Sequence, residues 1–228
     1  MEAVILAGGL GTRLSGIINN LPKSMAEFNK KPFLHYLISQ LKNHFNRIII
    51  CVGHKHEKIM EYFEDGKEYG IKIEYSIEKE PLGTAGALKN AQNLIREDFI
   101  LLNGDTYHEL DYEKIIKEFN KNKKHLMVIT KTINPSEVTI VKLNKDNDVV
   151  ELKERPKNPS KNDKYMNAGV YIFKKNVLDL IPENKKVSLE KEIFPIIIKK
   201  GLKAVKYNEK YIDIGTPDNY KKFNEMIK

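Results

Sequence analysis

The first hundred residues alternate between two hydrophobic periods, and that alternation restricts the chain to one class of fold. Val4–Leu6 is a short apolar run of strand type, as are Arg47–Val52, Ile71–Ile77 and Phe99–Leu102. Between them, Phe33, Leu34, Leu37, Ile38, Leu41 and Phe45 fall on one helical face behind Pro32, at a position where a helix tolerates proline. Glu57–Glu64 reads as a second helix and Ala85–Ile95 as a third, capped by Thr84. The order β-α-β-α-β-α-β predicts a parallel sheet with helices on its faces.

The second half is richer in strands. After a helix around Tyr112–Asn120, the stretches Leu126–Lys131, Val138–Leu143, Val149–Lys153 and Ala168–Phe173 are strand-like, separated by polar turns such as "NKDND" and "RPKNPSKND". A helix starts near Ser188, with Pro195 expected to kink or shorten it. A last strand near Tyr211–Ile214 leads into a helix capped by Thr216 with Pro217 at its first position. The expected fold is therefore a single-domain α/β protein over residues 1–228. It is a Rossmann-like three-layer sandwich with a mixed, mostly parallel central sheet and a smaller additional sheet.

Composition narrows the function. Four of the 39 cationic residues are arginine and the rest are lysine, spread among 31 acidic residues, so the net charge of +8 describes a solvated lysine-rich surface. Aromatic stacking motifs and zinc-finger spacing are missing, which argues against nucleic acid as a partner. No apolar run approaches the length needed to span a bilayer, so no membrane partner is expected either. The N-terminus shows no basic region ahead of a long apolar segment, and the single cysteine, Cys51, excludes an internal disulfide; the cytoplasm is the expected compartment.

Three loops follow strand ends, where open parallel sheets gather their ligands. The first, "AVILAGGLGTRLSGIINNLPKSM", leaves its strand through Gly8, Gly9 and Gly11 and places Arg13 and Lys23 where neither is expected to build a core. Glycines admit close backbone approach and the cations point to an anionic ligand, phosphate above all. The dinucleotide and Walker patterns both fail, since Leu14 takes the third glycine position and Lys23 follows proline. The second loop, "EPLGTAGAL", sets Gly83 and Gly86 around Thr84, leaving room for a flat base or sugar ring. In the third, "ILLNGDTY", Asp105 appears directly after an apolar strand, and "YIDIGTP" repeats the pattern at Asp213. Two carboxylates are enough for Mg²⁺, which keeps water and substrate phosphates as its other ligands. "HKH" at His54–His56 has no third ligand nearby and reads as surface, while Cys51 reads as a buried small apolar residue.

Taken together and in this order, "LAGGLGTRL…LPKSM…KPFLHYLI", "YSIEKEPLGTAGAL", "LNGDTY", "NAGVYIF", "SLEKEIFP" and "YIDIGTPDNY" resemble the sugar-1-phosphate nucleotidyltransferases over essentially the whole chain. Within that family the resemblance is greatest to the D-glycero-D-manno-heptose 1-phosphate guanylyltransferases. It implies transfer of a nucleoside monophosphate from a nucleoside triphosphate to a sugar 1-phosphate, with residues 1–110 mainly binding nucleotide and 111–228 mainly binding sugar phosphate.

By match to the signature, Arg13 holds the departing pyrophosphate, Lys23 contacts phosphate near the reacting centre, and Asp105 with Asp213 carries Mg²⁺. Leu6, Ala7, Gly8, Gly9, Gly11, Thr12, Gly83 and Thr84 frame the nucleotide. Gly104, Glu154, Arg155 and Asn167 face the sugar phosphate. Two departures stand out. Ser24 occupies a position where many relatives have proline, a change expected to be harmless; and "ELKERP" gives Glu154-Arg155-Pro156 in place of the usual E-K-P, leaving open whether Arg155 or Lys153 contacts the sugar phosphate. A homodimer is expected. The rival readings are a mannose or glucose 1-phosphate nucleotidyltransferase, a cytidylyltransferase acting on an alditol or choline phosphate, and a non-catalytic homologue that senses nucleotide sugars.

Overall fold

The computed structural model describes residues 1–9, 18 and 21–227. Its central sheet begins with β1 (Glu2–Leu6), β4 (Arg47–Val52), β5 (Lys72–Ile77) and β6 (Phe99–Asn103), with two short strands, β2 (Glu27–Phe28) and β3 (Lys31–Pro32), forming a small sheet of their own. These four long strands are parallel in the order β5-β4-β1-β6. Ala3 lies between Ile48 and Ile100, Val4 between Ile49 and Leu101, and Ile5 between Ile50 and Leu102.

Successive residues therefore feed opposite faces of the sheet. Ala3, Ile5, Ile48, Ile50, Ile100 and Leu102 belong to one buried cluster, and Val4, Ile49, Cys51 and Leu101 to the other. Strands that bury both faces are continuously apolar, and this is why Arg47–Val52 shows no polar alternation. On the first face lie α1 (Phe33–Leu41), α2 (His56–Phe63), α4 (Tyr112–Asn122) and α6 (Pro217–Met226), through Leu34, Ile59, Ile115 and Phe223. On the second lie α3 (Gly83–Asn90) and α5 (Phe194–Lys200), through Leu88 and Ile197. Three layers result, as the sequence predicts. Cys51 is buried, and its thiol is pushed up to about 12 by loss of solvent.

The mixed half continues the same sheet. β11 (Tyr165–Phe173) pairs antiparallel with β6 and with β8 (His125–Lys131), while β9 (Thr139–Leu143) and β10 (Val149–Glu154) extend one edge. Leu202–Lys206, in which Lys203 and Lys206 interrupt a short apolar run, carries little strand signal, yet it forms β12, parallel to β8. β7 (Thr106–His108) and β13 (Tyr211–Asp213) make a second two-stranded ladder, so there are two small additional sheets and not one.

One local expectation needs correction. α3 begins at Gly83 with Leu82 as its N-cap and ends at Asn90, and Thr84 caps nothing: its hydroxyl donates to Glu190 (2.9 Å) and accepts from the Leu189 amide (2.8 Å). A tertiary partner has outcompeted the local one. The helix that Ser188 caps opens as a π-helical turn (Leu189–Ile193), and the regular α-helix is the short α5 that follows, with Pro195 in its first turn. Thr216 does cap α6, accepting from the Asn219 amide at 3.3 Å with Pro217 at the start. Among the described residues no helix is long and apolar enough to cross a membrane.

Candidate active site

β1 and β6 are neighbours, but β4 and β5 extend to one side of β1 and β6 lies on the other, so the order reverses between them. Chain leaving two such strands diverges and opens a crevice. A cavity of about 310 Å³ occupies it, walled by Leu6, Ala7, Gly8 and Gly9 after β1, by Asn103, Gly104 and Asp105 after β6, and by Gly83, Thr84 and Ala87 of α3. Lys23, Ser24, Glu78, Pro81 and Lys186 complete the wall.

The glycines are there for closeness. The Gly104 amide donates to the Leu6 carbonyl at 2.9 Å, and a Cβ on Gly104 would lie 2.6 Å from that oxygen. Gly83 has φ +73°, and its missing Cβ makes room for the Val187 carbonyl, which would stand 2.6 Å away. On Gly8 a Cβ would meet the Glu78 carboxylate at 2.2 Å, whereas one on Gly9 would meet nothing within 4 Å among the described residues.

Lys23 is the central correction to the sequence reading. It does not stand outside the core: only 9% of it is exposed, on a short 3₁₀ turn (Lys23–Met25) that follows Pro22. Its ammonium donates to Asp105 Oδ2 at 2.6 Å and to Asp213 Oδ1 at 3.1 Å, although the two carboxylates belong to opposite halves of the chain. Burying a cation is costly unless it is paired, and here two half-exposed carboxylates pair it. Their positions are fixed by backbone. Asp213 faces Thr106 across the β7–β13 ladder, the Ile214 amide donates to the Asp105 carbonyl at 3.0 Å, and the Gly215 amide donates to Asp213 Oδ1 at 2.7 Å. The expected meeting of the two aspartates occurs, with the Lys23 ammonium between them.

Other expected residues are placed unevenly. Leu6, Ala7, Gly8, Gly9, Gly83, Thr84 and Gly104 line the cavity, as do Lys23 and Asp105. Gly11, Thr12 and Arg13 fall outside the described residues. Asn167 is turned to its own strand: it donates to the Tyr171 hydroxyl at 2.6 Å and accepts from the Gly169 amide at 3.0 Å. Glu154 and Arg155 are exposed at the end of β10 and are not part of the cavity wall; Glu154 faces Lys191 at 3.7 Å, and Lys153 faces Glu151 at 3.6 Å. His54 is exposed and His56 is partly so, and no group of three metal-ligating side chains occurs among the described residues.

Sequence reasoning missed Glu78 and Lys186. The Glu78 carboxylate accepts from the Leu82 amide at 2.9 Å and has no cation partner among the described residues. Burial raises its pKa, opposed by the Leu82 hydrogen bond. A signal existed in "YSIEKEPLGT", an acid directly past a strand, but its neighbours Lys79 and Glu80 make it look like ordinary surface. Ser24 is 3% exposed, and its hydroxyl has no partner among the described residues.

The chain as a whole is similar to known proteins. Along 98% of its length the chain is 36% identical to 98% of a D-glycero-alpha-D-manno-heptose 1-phosphate guanylyltransferase from Campylobacter jejuni, and it is 36% identical to the protein of that description from Aneurinibacillus thermoaerophilus, covering 100% of this chain and 98% of that one. It superposes on the crystal structure of HddC from Yersinia pseudotuberculosis with a TM-score of 0.86 and 32% identity, over 100% of this chain and 99% of that one. A second structure of HddC, complexed with GMP-PN, also gives 0.86. With the Nucleotidyl transferase family matched over residues 2–228, the chain belongs to that family.

Proposed function

We propose that the protein transfers GMP from GTP to D-glycero-D-manno-heptose 1-phosphate, giving the GDP-sugar and pyrophosphate. The observation that carries this reading is the convergence of Lys23, Asp105 and Asp213 at a cavity built from glycine-rich strand ends. A sugar-phosphate oxygen attacks the α-phosphorus in line; the new P–O bond forms as the bond to the β-phosphate oxygen breaks, and pyrophosphate departs with its electron pair. Both reactants are anions, so the protein's work is positioning and neutralisation. Lys23 supplies positive charge beside the reacting centre, and Arg13 is assigned to the pyrophosphate end.

Asp105 and Asp213 already converge on one positive charge, a donor set that fits Mg²⁺ with phosphate oxygens and water as its remaining ligands. Bound there, the ion would neutralise charge on the phosphates. Glu78 supports guanine in particular. Guanine presents two adjacent donors, N1–H and N2–H, to a carboxylate, whereas uracil and thymine flank a single N–H with carbonyl oxygens that a carboxylate repels. Among the described residues, 1–110 supply all of this cavity's wall but Lys186, and Asp213 reaches Lys23 from 111–228; Gly104, Glu154, Arg155 and Asn167 are assigned to the sugar phosphate. We place the enzyme in the cytoplasm as a homodimer, the latter readable by light scattering.

A grid of four nucleoside triphosphates against hexose and heptose 1-phosphates, followed by pyrophosphate release, tests the reading. GTP with the heptose phosphate is expected to give the highest kcat/KM. Turnover of CTP without any sugar phosphate, or nucleotide binding without pyrophosphate in every combination, overturns it.

A further inference from the structure

The central sheet ends at β10, and that edge is open. The Arg155 amide donates to the Val138 carbonyl at 3.1 Å. Hydrogen-bonded pairs alternate along an antiparallel ladder, so Lys153 and Glu151, which face Ile140 and Lys142, also direct their backbone groups at β9. Leu152 and Glu154 direct theirs the other way. No strand pairs with β10 on that side among the described residues, and no backbone hydrogen bond ties Leu152 or Glu154 to another segment. An unpaired edge is a template for one more strand.

Charge decides which strand fits. A register shift between Val149 and Glu151 interrupts β10, and the regular stretch beyond it reads Glu151-Leu152-Lys153-Glu154. Glu151 and Lys153 share one face, 3.6 Å apart, with side chains 53% and 45% exposed. A second copy laid antiparallel about a twofold axis at Leu152 sets Leu152 against its own counterpart, with reciprocal backbone hydrogen bonds. It also sets Glu151 against Lys153 of the partner subunit, twice by symmetry, so that four charges alternate in sign around the axis. Moving the axis by one residue brings Glu151 against Glu151 of the partner subunit, or Lys153 against Lys153 of the partner subunit, and both arrangements repel.

Exposed apolar surface lies at the same edge: Val150 on β10 is 51% exposed, and Ile196 is 39% exposed on α5, which packs against β10. We propose that β10 is a self-association interface, through which two copies of this chain join their central sheets in antiparallel register centred on Leu152. The proposal rests on the homodimer reading above and names its face. Glu154 and Arg155, assigned to the sugar phosphate, follow the paired residues directly, so the partner borders that part of the site.

Light scattering and sedimentation of wild type, Glu151→Lys, Lys153→Glu and the double variant across a dilution series test the interface. Each single substitution sets like charges against one another at both symmetric positions, and is expected to raise the dimer Kd by about 10- to 100-fold. The double variant exchanges the two charges, keeps the net charge of wild type, and is expected to return to within about threefold of its Kd. Single variants that dimerise as wild type does, or a double variant as weak as the singles, overturn the proposal and leave the homodimer to another face. Wild type that stays monomeric at every concentration overturns the homodimer reading itself.

Discussion

The carbonyl oxygen of Asp105 accepts a hydrogen bond from the Ile214 amide at 3.0 Å, a contact between residues more than a hundred positions apart. Backbone at both aspartates is thereby held in one ladder, and Lys23 closes the arrangement by touching both carboxylates.

Lys23→Met removes the charge that the aspartates share. We expect kcat to fall by roughly 10²–10³, the usual cost of one preorganised charge at a reacting centre. In EDTA the variant should melt below wild type, by about 1–2 kcal/mol in stability because the carboxylates are partly exposed. Mg²⁺ should raise its Tm more than it raises that of wild type. Melting curves with and without the ion, beside a pyrophosphate assay, read both effects; equal Mg²⁺ shifts would contradict the shared site.

Glu78→Gln exchanges two acceptors for one acceptor and one donor. The kcat/KM for GTP is expected to drop at least tenfold, about 1–3 kcal/mol, while that for UTP or dTTP rises. Unchanged base preference across the four triphosphates would remove Glu78 from base selection.

Gly83→Ala sets a methyl group against the Val187 carbonyl at a positive φ of +73°. The α3 entry must shift, at a cost of about 1–3 kcal/mol. Urea melts should show that loss, and KM for GTP should rise with it because Gly83 walls the cavity. Wild-type stability in the variant would mean the close contact can relax freely.

His108 is buried within the β7–β13 ladder, opposite Tyr211, and desolvation, opposed by a hydrogen bond to the Ala168 backbone, holds its pKa down to about 4. The folded state prefers the neutral ring, while the unfolded ring titrates near 6.5. Its contribution is therefore complete above pH 6.5 and is lost as pH falls toward 4, by up to about 3 kcal/mol. His125, depressed to about 4 chiefly by burial, acts with the same sign. Urea midpoints between pH 7 and 4 should flatten partly in His108→Gln and further when His125→Gln is added; an unaltered slope would remove these histidines as the cause.

Local chemistry made much of this protein legible in the sequence. Continuous apolar runs such as Arg47–Val52 announce strands buried on both faces, and Thr216 with Pro217 announces a helix start, because both signals act within a few residues. Glycines after β1 and Asp105 after β6 marked the crevice for the same reason. Tertiary structure decided what proximity decides: that Thr84 would serve Glu190 and not its own helix, that β12 would find β8, that Lys23 would be buried between two aspartates, and that Glu78 and Lys186 would share a wall. A side chain's charge is written in the sequence, but the partner that consumes or spares that charge is set by which distant segments the sheet order brings within a few ångströms.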